Sequence, residues 1–166
     1  VILIPRIDKK IHAMVNSLYW KYLIARIFLD LGECIPVFVD KEKNSKEKNK
    51  LAFEKALTCL KKGEIVQIFP EGTRSFEGKL KKAYTGIARL ALRSRVPVLP
   101  CGIIDSNKVL PKGKNLPRFK RCEVKIGKLM YFEKYYDKKT NEKILQETTR
   151  KIMKEIAKLT NQKYNY

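Results

Sequence analysis

At 166 residues the chain suits one domain, long enough to bury about two-thirds of the surface its unfolded form exposes. Its 44% hydrophobic content is that of a globular protein and excludes a wholly disordered one. Lys+Arg 37 against Asp+Glu 17 leaves a formal charge of +20, which argues for an anionic partner: nucleic acid, an acidic lipid surface or an acidic carrier protein. Solvated lysine faces on helices account for part of that excess.

In chain order, Asn16 to Leu31 carries Leu23, Ile27 and Leu31 at helical spacing, with Gly32 as a C-terminal cap. Cys34 to Val39 reads as a short buried strand. Asn44 and Glu47 have the spacing of a capping box and open a helix with Phe53, Ala56, Leu57 and Leu60 on one stripe; Gly63 closes it. The apolar run Ile65 to Phe69 reads as another buried strand, stopped by Pro70, which has no amide for a ladder. Thr85 caps a helix running to about Arg95, with Ile87, Leu90 and Ala91 inward. Val96 to Ile104 and Cys122 to Phe132 are the next strands. Between them Asp105 to Arg121, rich in Pro, Gly and Lys, is the best candidate for a mobile loop. From about Thr140 to Leu159 a last helix sets Ile144, Leu145, Thr148, Ile152, Ile156 and Leu159 on one side. Strands alternating with helices predict an α/β fold, a single domain with a largely parallel, mixed sheet flanked by helices.

The most informative stretch is Phe69-Pro70-Glu71-Gly72-Thr73-Arg74-Ser75. It presents a carboxylate, a glycine, a hydroxyl and a guanidinium just past the carboxyl end of a strand, where open α/β sheets bind ligands. Gly72 permits backbone angles that other residues resist, and the planar fork of Arg74 suits phosphate or carboxylate. A polar turn capped by a solvated arginine, or by an ion pair with Glu71, is the plainer alternative. Other motif readings fail on spacing. Gly72 to Gly78-Lys79 is not a nucleotide P-loop, since five residues separate the glycines and Leu80 stands where Ser or Thr is required. Ser75 is in no nucleophile elbow. Cys34, Cys59, Cys101 and Cys122 are widely spaced and match neither a zinc site nor a disulfide scaffold, so no metal is expected; three of the four lie in apolar stretches and read as small buried hydrophobes.

Phe69 to Ser75, followed by Gly78-Lys79-Leu80, then Thr85 to Leu92 and Val96 to Ile103, resembles the PlsC-type glycerolipid acyltransferases, the lysophosphatidic acid acyltransferases in particular. Gly32 to Lys41 is similar to the preceding block of that family, which usually ends in Asp-Arg. The resemblance covers the chain from Val1 to the last helix. It implies a glycerol-3-phosphate acyltransferase-like fold and transfer of a fatty acyl group to 1-acyl-sn-glycerol-3-phosphate, forming phosphatidic acid. Acyl-CoA or acyl-carrier protein would be the co-substrate, with no further cofactor. Carried over residue by residue, acceptor binding falls to Glu71, Gly72, Thr73, Arg74 and Ser75, with Lys41 in place of arginine and Lys79 as a further cation. Lys41 keeps the charge but loses the bidentate fork. The partners implied are lysophosphatidic acid, an acyl thioester and an anionic membrane surface at the cytoplasmic face, reached peripherally or through missing sequence; no nucleic acid is expected. A basic nucleic-acid-binding α/β domain remains the alternative.

The family's catalytic Asn-His-x-Ser-x-x-Asp block is missing. The single histidine, His12, has no Asn before it and Ser17 stands where the aspartate belongs, so His12 reads as structural. The chain begins at Val1 in mid-pattern and is expected to be a fragment that lacks the catalytic block and is inactive alone.

Overall fold

The computed structural model describes residues 9–38, 43–75, 77–114 and 116–166. Where the sequence suggests one domain, the backbone divides into two compact units, one ending at Phe69 and one spanning Pro70–Tyr166.

The first unit is built on three parallel strands. β1 (Ile11–Asn16) is central, with β2 (Ile35–Val37) on one side and β3 (Ile65–Gln67) on the other. Met14 to Asn16 pair with Ile35 to Val37, and Ile11 to Ala13 pair with Ile65 to Gln67. Parallel neighbours need crossover connections, supplied here by α1 (Leu23–Leu31) and α2 (Ser45–Lys61). β1 is not foreseen from sequence. A central parallel strand shows an apolar run with no alternation, and this one is further disguised by a histidine. The helix expected from Asn16 starts only at Leu23. Ser17–Lys21 form a 3-10 turn whose entry is capped by Asn16, its Oδ1 accepting from the Leu18 amide at 2.9 Å. Tyr22, in extended conformation, separates this turn from α1. The apolar stripe of α1 is real, yet the helix buries none of its residues; Phe28 is 71% and Leu31 77% exposed.

Both helices of this unit end in the same way. After α1 the Glu33 amide donates to the Asp30 carbonyl and the Cys34 amide to the Leu29 carbonyl. After α2 the Gly63 amide donates to Leu60 and the Glu64 amide to Cys59. These are Schellman closures, which need a left-handed residue just past the cap. Gly63 takes that role at φ 76° without strain, whereas at the first closure it is Glu33, at φ 47°, and not Gly32. The two turns converge on His12, which is 2% exposed. Its Nδ1 donates to the Glu33 carbonyl at 3.1 Å, and its Nε2 lies 3.0 Å from the Glu64 carboxylate. Glu33 is itself held by Lys10 Nζ at 2.6 Å.

The start of α2 corrects the capping-box expectation. The helix does begin at Ser45, but Asn44 adopts left-handed angles and its side chain makes no capping bond. Ala52, Ala56, Leu57 and Cys59 form the buried face. Asn49 acts as a substitute strand: it accepts from the Phe38 amide at 2.8 Å and donates to the Phe38 carbonyl at 2.7 Å, extending the pairing at the end of β2.

The second unit pairs β4 (Cys101–Ile104) with β5 (Glu123–Ile126) in antiparallel register, Cys101 opposite Ile126. Both strands are shorter than expected. Pro97 and Pro100 offer no amide, so pairing ahead of β4 shrinks to an isolated bridge between Val98 and Met130. A single helical turn, α4 (Ser106–Val109), interrupts the segment read as all loop. α3 (Gly86–Ser94) packs on α5 (Glu142–Leu159) around Ala88, Ala91, Leu92, Phe132, Tyr135, Leu145 and Ile152. Leu90 and Ala91 are buried and Ile87 packs against this core, as the periodicity predicts. Thr85 stands at the N-cap of α3 without a side-chain bond, whereas Asn141 does cap α5, accepting from the Ile144 amide at 2.9 Å.

His12→Ala removes a buried partner from Glu64 and leaves the Glu33 carbonyl without its donor. Urea unfolding should record a loss of about 1–3 kcal/mol, the scale for leaving a buried hydrogen-bonding group without its partner. Lys10→Ala, at an exposed pair, should leave the unfolding midpoint nearly unchanged. Equal effects from the two substitutions would deny His12 its clamping role.

Candidate functional site

The motif predicted from sequence leaves β3 and enters the second unit at Pro70. There it forms a loop closed at its neck by two bonds. The Tyr84 amide donates to the Pro70 carbonyl at 2.8 Å, and the Lys81 amide donates to Glu71 Oε2 at 2.6 Å. Gly72 has φ 64°, and a Cβ there would come within 2.9 Å of the Tyr84 ring. The left-handed backbone favours glycine, and the exposed Tyr84 ring would have to move aside for any side chain there.

Glu71 is half-buried, and its carboxylate is directed at the Lys81 backbone rather than at Arg74. Burial pushes its pKa up, while the Lys81 amide and charge pull it back in smaller measure. The ion pair between Glu71 and Arg74, offered above as an alternative, is not formed. Among the described residues Arg74 has no acidic partner, and it is exposed. Thr73 is exposed as well, its hydroxyl 3.5 Å from the Arg74 carbonyl, and Ser75 is half-buried. Lys79 differs: its Nζ lies 2.7 Å from Glu77, and this hydrogen bond raises the Lys79 pKa and lowers that of Glu77. Both groups are exposed, so the pair is weak and an incoming anion competes for the lysine at little cost. Lys41 lies outside the described residues.

Two residues beyond the last helix fix this loop, and the sequence reading missed both. Gln162 accepts from the Leu80 amide at 2.9 Å and donates to the Gly78 carbonyl at 3.1 Å, bracketing Lys79 from either side. Tyr164 Oη accepts from the Ala83 amide at 3.0 Å. No local pattern could reveal contacts that join positions some eighty residues apart. A large groove in this unit, about 920 Å³, is lined by Gly127, Lys128, Tyr131, Phe132, Lys151 and others, none of them from the motif.

In the first unit, Cys59 Sγ, His12 and a Glu64 oxygen lie within 4.8 Å of one another. Burial and the neighbouring Glu64 carboxylate push the Cys59 thiol up, so it stays protonated and donates to Glu64. The trio thus works as an internal hydrogen-bond set around one carboxylate.

A parallel sheet with helical crossovers defines an α/β domain, and the loop that follows β3 offers a guanidinium with no acidic partner among the described residues. The particular family follows from comparison with known proteins. The acyltransferase family model matches residues 1–104, and the chain belongs to that family. It is 40% identical over 98 residues to a 1-acyl-sn-glycerol-3-phosphate acyltransferase of Pseudomonas aeruginosa, covering 59% of this chain and 37% of that protein. It is 37% identical over 60 residues to the chloroplastic 1-acyl-sn-glycerol-3-phosphate acyltransferase BAT2 of Brassica napus, covering 36% of this chain and 17% of the relative. The crystal structure of PlsC, the 1-acyl-sn-glycerophosphate acyltransferase of Thermotoga maritima, aligns with a TM-score of 0.60 at 20% identity. That alignment covers 93% of this chain and 58% of PlsC, and it establishes the fold. The chain thus spans well under two-thirds of the length of each of these relatives.

Because the folded state raises the Glu71 pKa, ionisation of Glu71 is less favourable in the fold than in the unfolded chain. Its contribution to stability therefore falls as pH rises past the ordinary value of 4.5. Glu71→Gln keeps an acceptor for the Lys81 amide without a charge to desolvate. Its urea midpoint at pH 7 should equal or exceed that of the parent. Glu71→Ala strands the Lys81 amide and should cost about 1 kcal/mol. A Gln variant as unstable as the Ala variant would show that the charge, not the acceptor, closes the neck.

Proposed function

We propose that this chain forms the acceptor-binding part of an enzyme that moves a fatty acyl group from a thioester to the free hydroxyl of 1-acyl-sn-glycerol-3-phosphate, giving phosphatidic acid. The single observation that carries the reading is the loop after β3, in which Arg74 is presented without a counter-ion among the described residues while Glu71 is occupied elsewhere. A phosphate monoester dianion is the natural complement of such a fork. The relatives, 1-acyl-sn-glycerol-3-phosphate acyltransferases, agree with that chemistry.

In this reading Arg74 grips the acceptor phosphate, with Lys79 as a second cation. Gly72 and Thr73 let the loop backbone approach the headgroup, and Ser75 adds a hydroxyl. The acceptor hydroxyl attacks the thioester carbonyl carbon; the carbon–oxygen bond forms, the carbon–sulfur bond breaks, and the thiol departs. The hydroxyl proton must pass to a base. His12 does not serve, because one ring nitrogen is committed to the Glu33 carbonyl and the other to Glu64. The thioester would be acyl-CoA or acyl-carrier protein, and the reaction would take place at the cytoplasmic face of an anionic membrane. Among the described residues no helix is long and apolar enough to cross a bilayer.

Arg74→Ala in an active protein containing these residues should raise the acceptor KM about tenfold or more, with the thioester KM unchanged. Arg74→Lys should recover part of the loss, since charge returns without the fork. Steady-state kinetics with detergent-dispersed acceptor test this; an unaltered acceptor KM would remove Arg74 from the site.

A further inference from the structure

The second unit carries a surface feature that acyl transfer does not use. From Ser106 to Cys122 the chain has six basic residues (Lys108, Lys112, Lys114, Arg118, Lys120 and Arg121) and no acidic one. At the centre of this run Leu116 is 81% exposed and Phe119 109%, as open as a side chain can be. Pro117, Arg118, Lys120 and Arg121 are exposed beside them. The backbone that holds them is tied down: the Arg118 amide donates to the Val109 carbonyl at 2.7 Å and the Lys120 amide to the Arg118 carbonyl at 2.8 Å. Phe119 is therefore held out between Arg118 and Lys120 by a turn rooted at the end of α4. Among the described residues, neither Lys114, Arg118, Lys120 nor Arg121 forms an ion pair.

We propose that Leu116–Arg121 is a docking wedge for an anionic bilayer. In this arrangement Phe119 and Leu116 enter the interfacial zone, and Lys114, Arg118, Lys120 and Arg121 lie on the headgroup phosphates. The physical case rests on the combination. Cations alone suit any polyanion, but an aliphatic and an aromatic side chain projecting together from a cationic rim gain only where hydrocarbon lies directly behind the charges. A duplex nucleic acid offers no such layer, and Leu116 cannot stack on a base. The inference rests on the lipid-acceptor reading only for its biological sense, since an enzyme with a lipid acceptor has to meet that lipid at a surface.

The test is flotation of the 166-residue chain with vesicles of phosphatidylcholine alone or mixed with phosphatidylglycerol. The parent should bind the mixed vesicles and not the neutral ones. Leu116→Ala with Phe119→Ala should lower the partition coefficient about tenfold or more. Arg118→Gln with Lys120→Gln and Arg121→Gln should lower it comparably and flatten its salt dependence. All five positions are exposed, so the variants should keep the parent's unfolding midpoint. The apolar variant also separates this loop from α1, whose exposed side chains could bind vesicles by themselves. Undiminished binding by the apolar variant would overturn the proposal. So would selective loss of oligonucleotide binding, or of self-association on gel filtration, with vesicle binding intact. Because the Arg74 experiment uses dispersed acceptor and reads KM, either result can fail without the other.

Discussion

The buried imidazole of His12 is the contact on which the first unit is organised. Three parallel strands have no hairpin to set their register; each crossover must deliver its strand at the right height by some other means. Here the ends of α1 and α2 are both Schellman turns, and the residues just past them, Glu33 and Glu64, meet the two nitrogens of one ring on β1. The ring thereby aligns the starts of β2 and β3 against the central strand. Glu33 accepts a left-handed backbone that costs a side-chain-bearing residue something, and its bonds to His12 and Lys10 offset that cost. With the amino ends of the strands locked, the carboxyl ends are free to lead into polar loops, and β3 leads into the motif.

That loop obeys a second rule: its acid is removed from its base. A carboxylate beside an arginine normally pairs with it, and such a pair presents little net charge to a ligand. Glu71 instead closes the loop on the Lys81 amide, half-buried, while Gln162 and Tyr164 brace the return path. Among the described residues, the charge left exposed at the tip without a carboxylate partner is the Arg74 guanidinium. The neighbouring lysine keeps a counter-ion in Glu77, but at an exposed pair that the phosphate of a ligand can displace.

Much of this could be read from residues alone, and the failures have physical causes. The motif was legible because it is contiguous: a strand, a stop, a glycine and an arginine in seven positions. The helix interiors were legible from their period, since Ala56, Leu57, Leu90, Ala91, Leu145 and Ile152 are buried where the spacing puts them. β1 was not, because a short apolar run with a histidine gives no period in which to recognise a strand. Asn44 was misread because a capping pattern fixes residue types, not the left-handed backbone that turns the side chain away. The bracing by Gln162 and the clamp at His12 join residues far apart in sequence, and no local pattern encodes them. The exposure of α1 was equally hidden, for periodicity reveals that a helix has an apolar face but not what covers it.

The cations of these two segments, the loop after β3 and the basic run around Phe119, are arranged in ways that differ in their physics. Arg74, without an acidic partner among the described residues, sits on a braced loop, which suits a single directional contact; bidentate geometry gives such a contact its selectivity, and it acts over bonding distance. The basic run around Phe119 has no such geometry. Its cations are spread over exposed positions and act through a summed field that decays over a Debye length of about 8 Å at physiological salt. Such a field brings a surface near but cannot choose one phosphate from another, whereas a lone guanidinium selects but attracts weakly from afar. Under the acyl-transfer reading proposed above, an acceptor that is itself an anionic lipid among other anionic lipids would call for both properties, and the chain would gain from keeping them on separate segments. Strengthening the attraction then leaves the recognition geometry untouched.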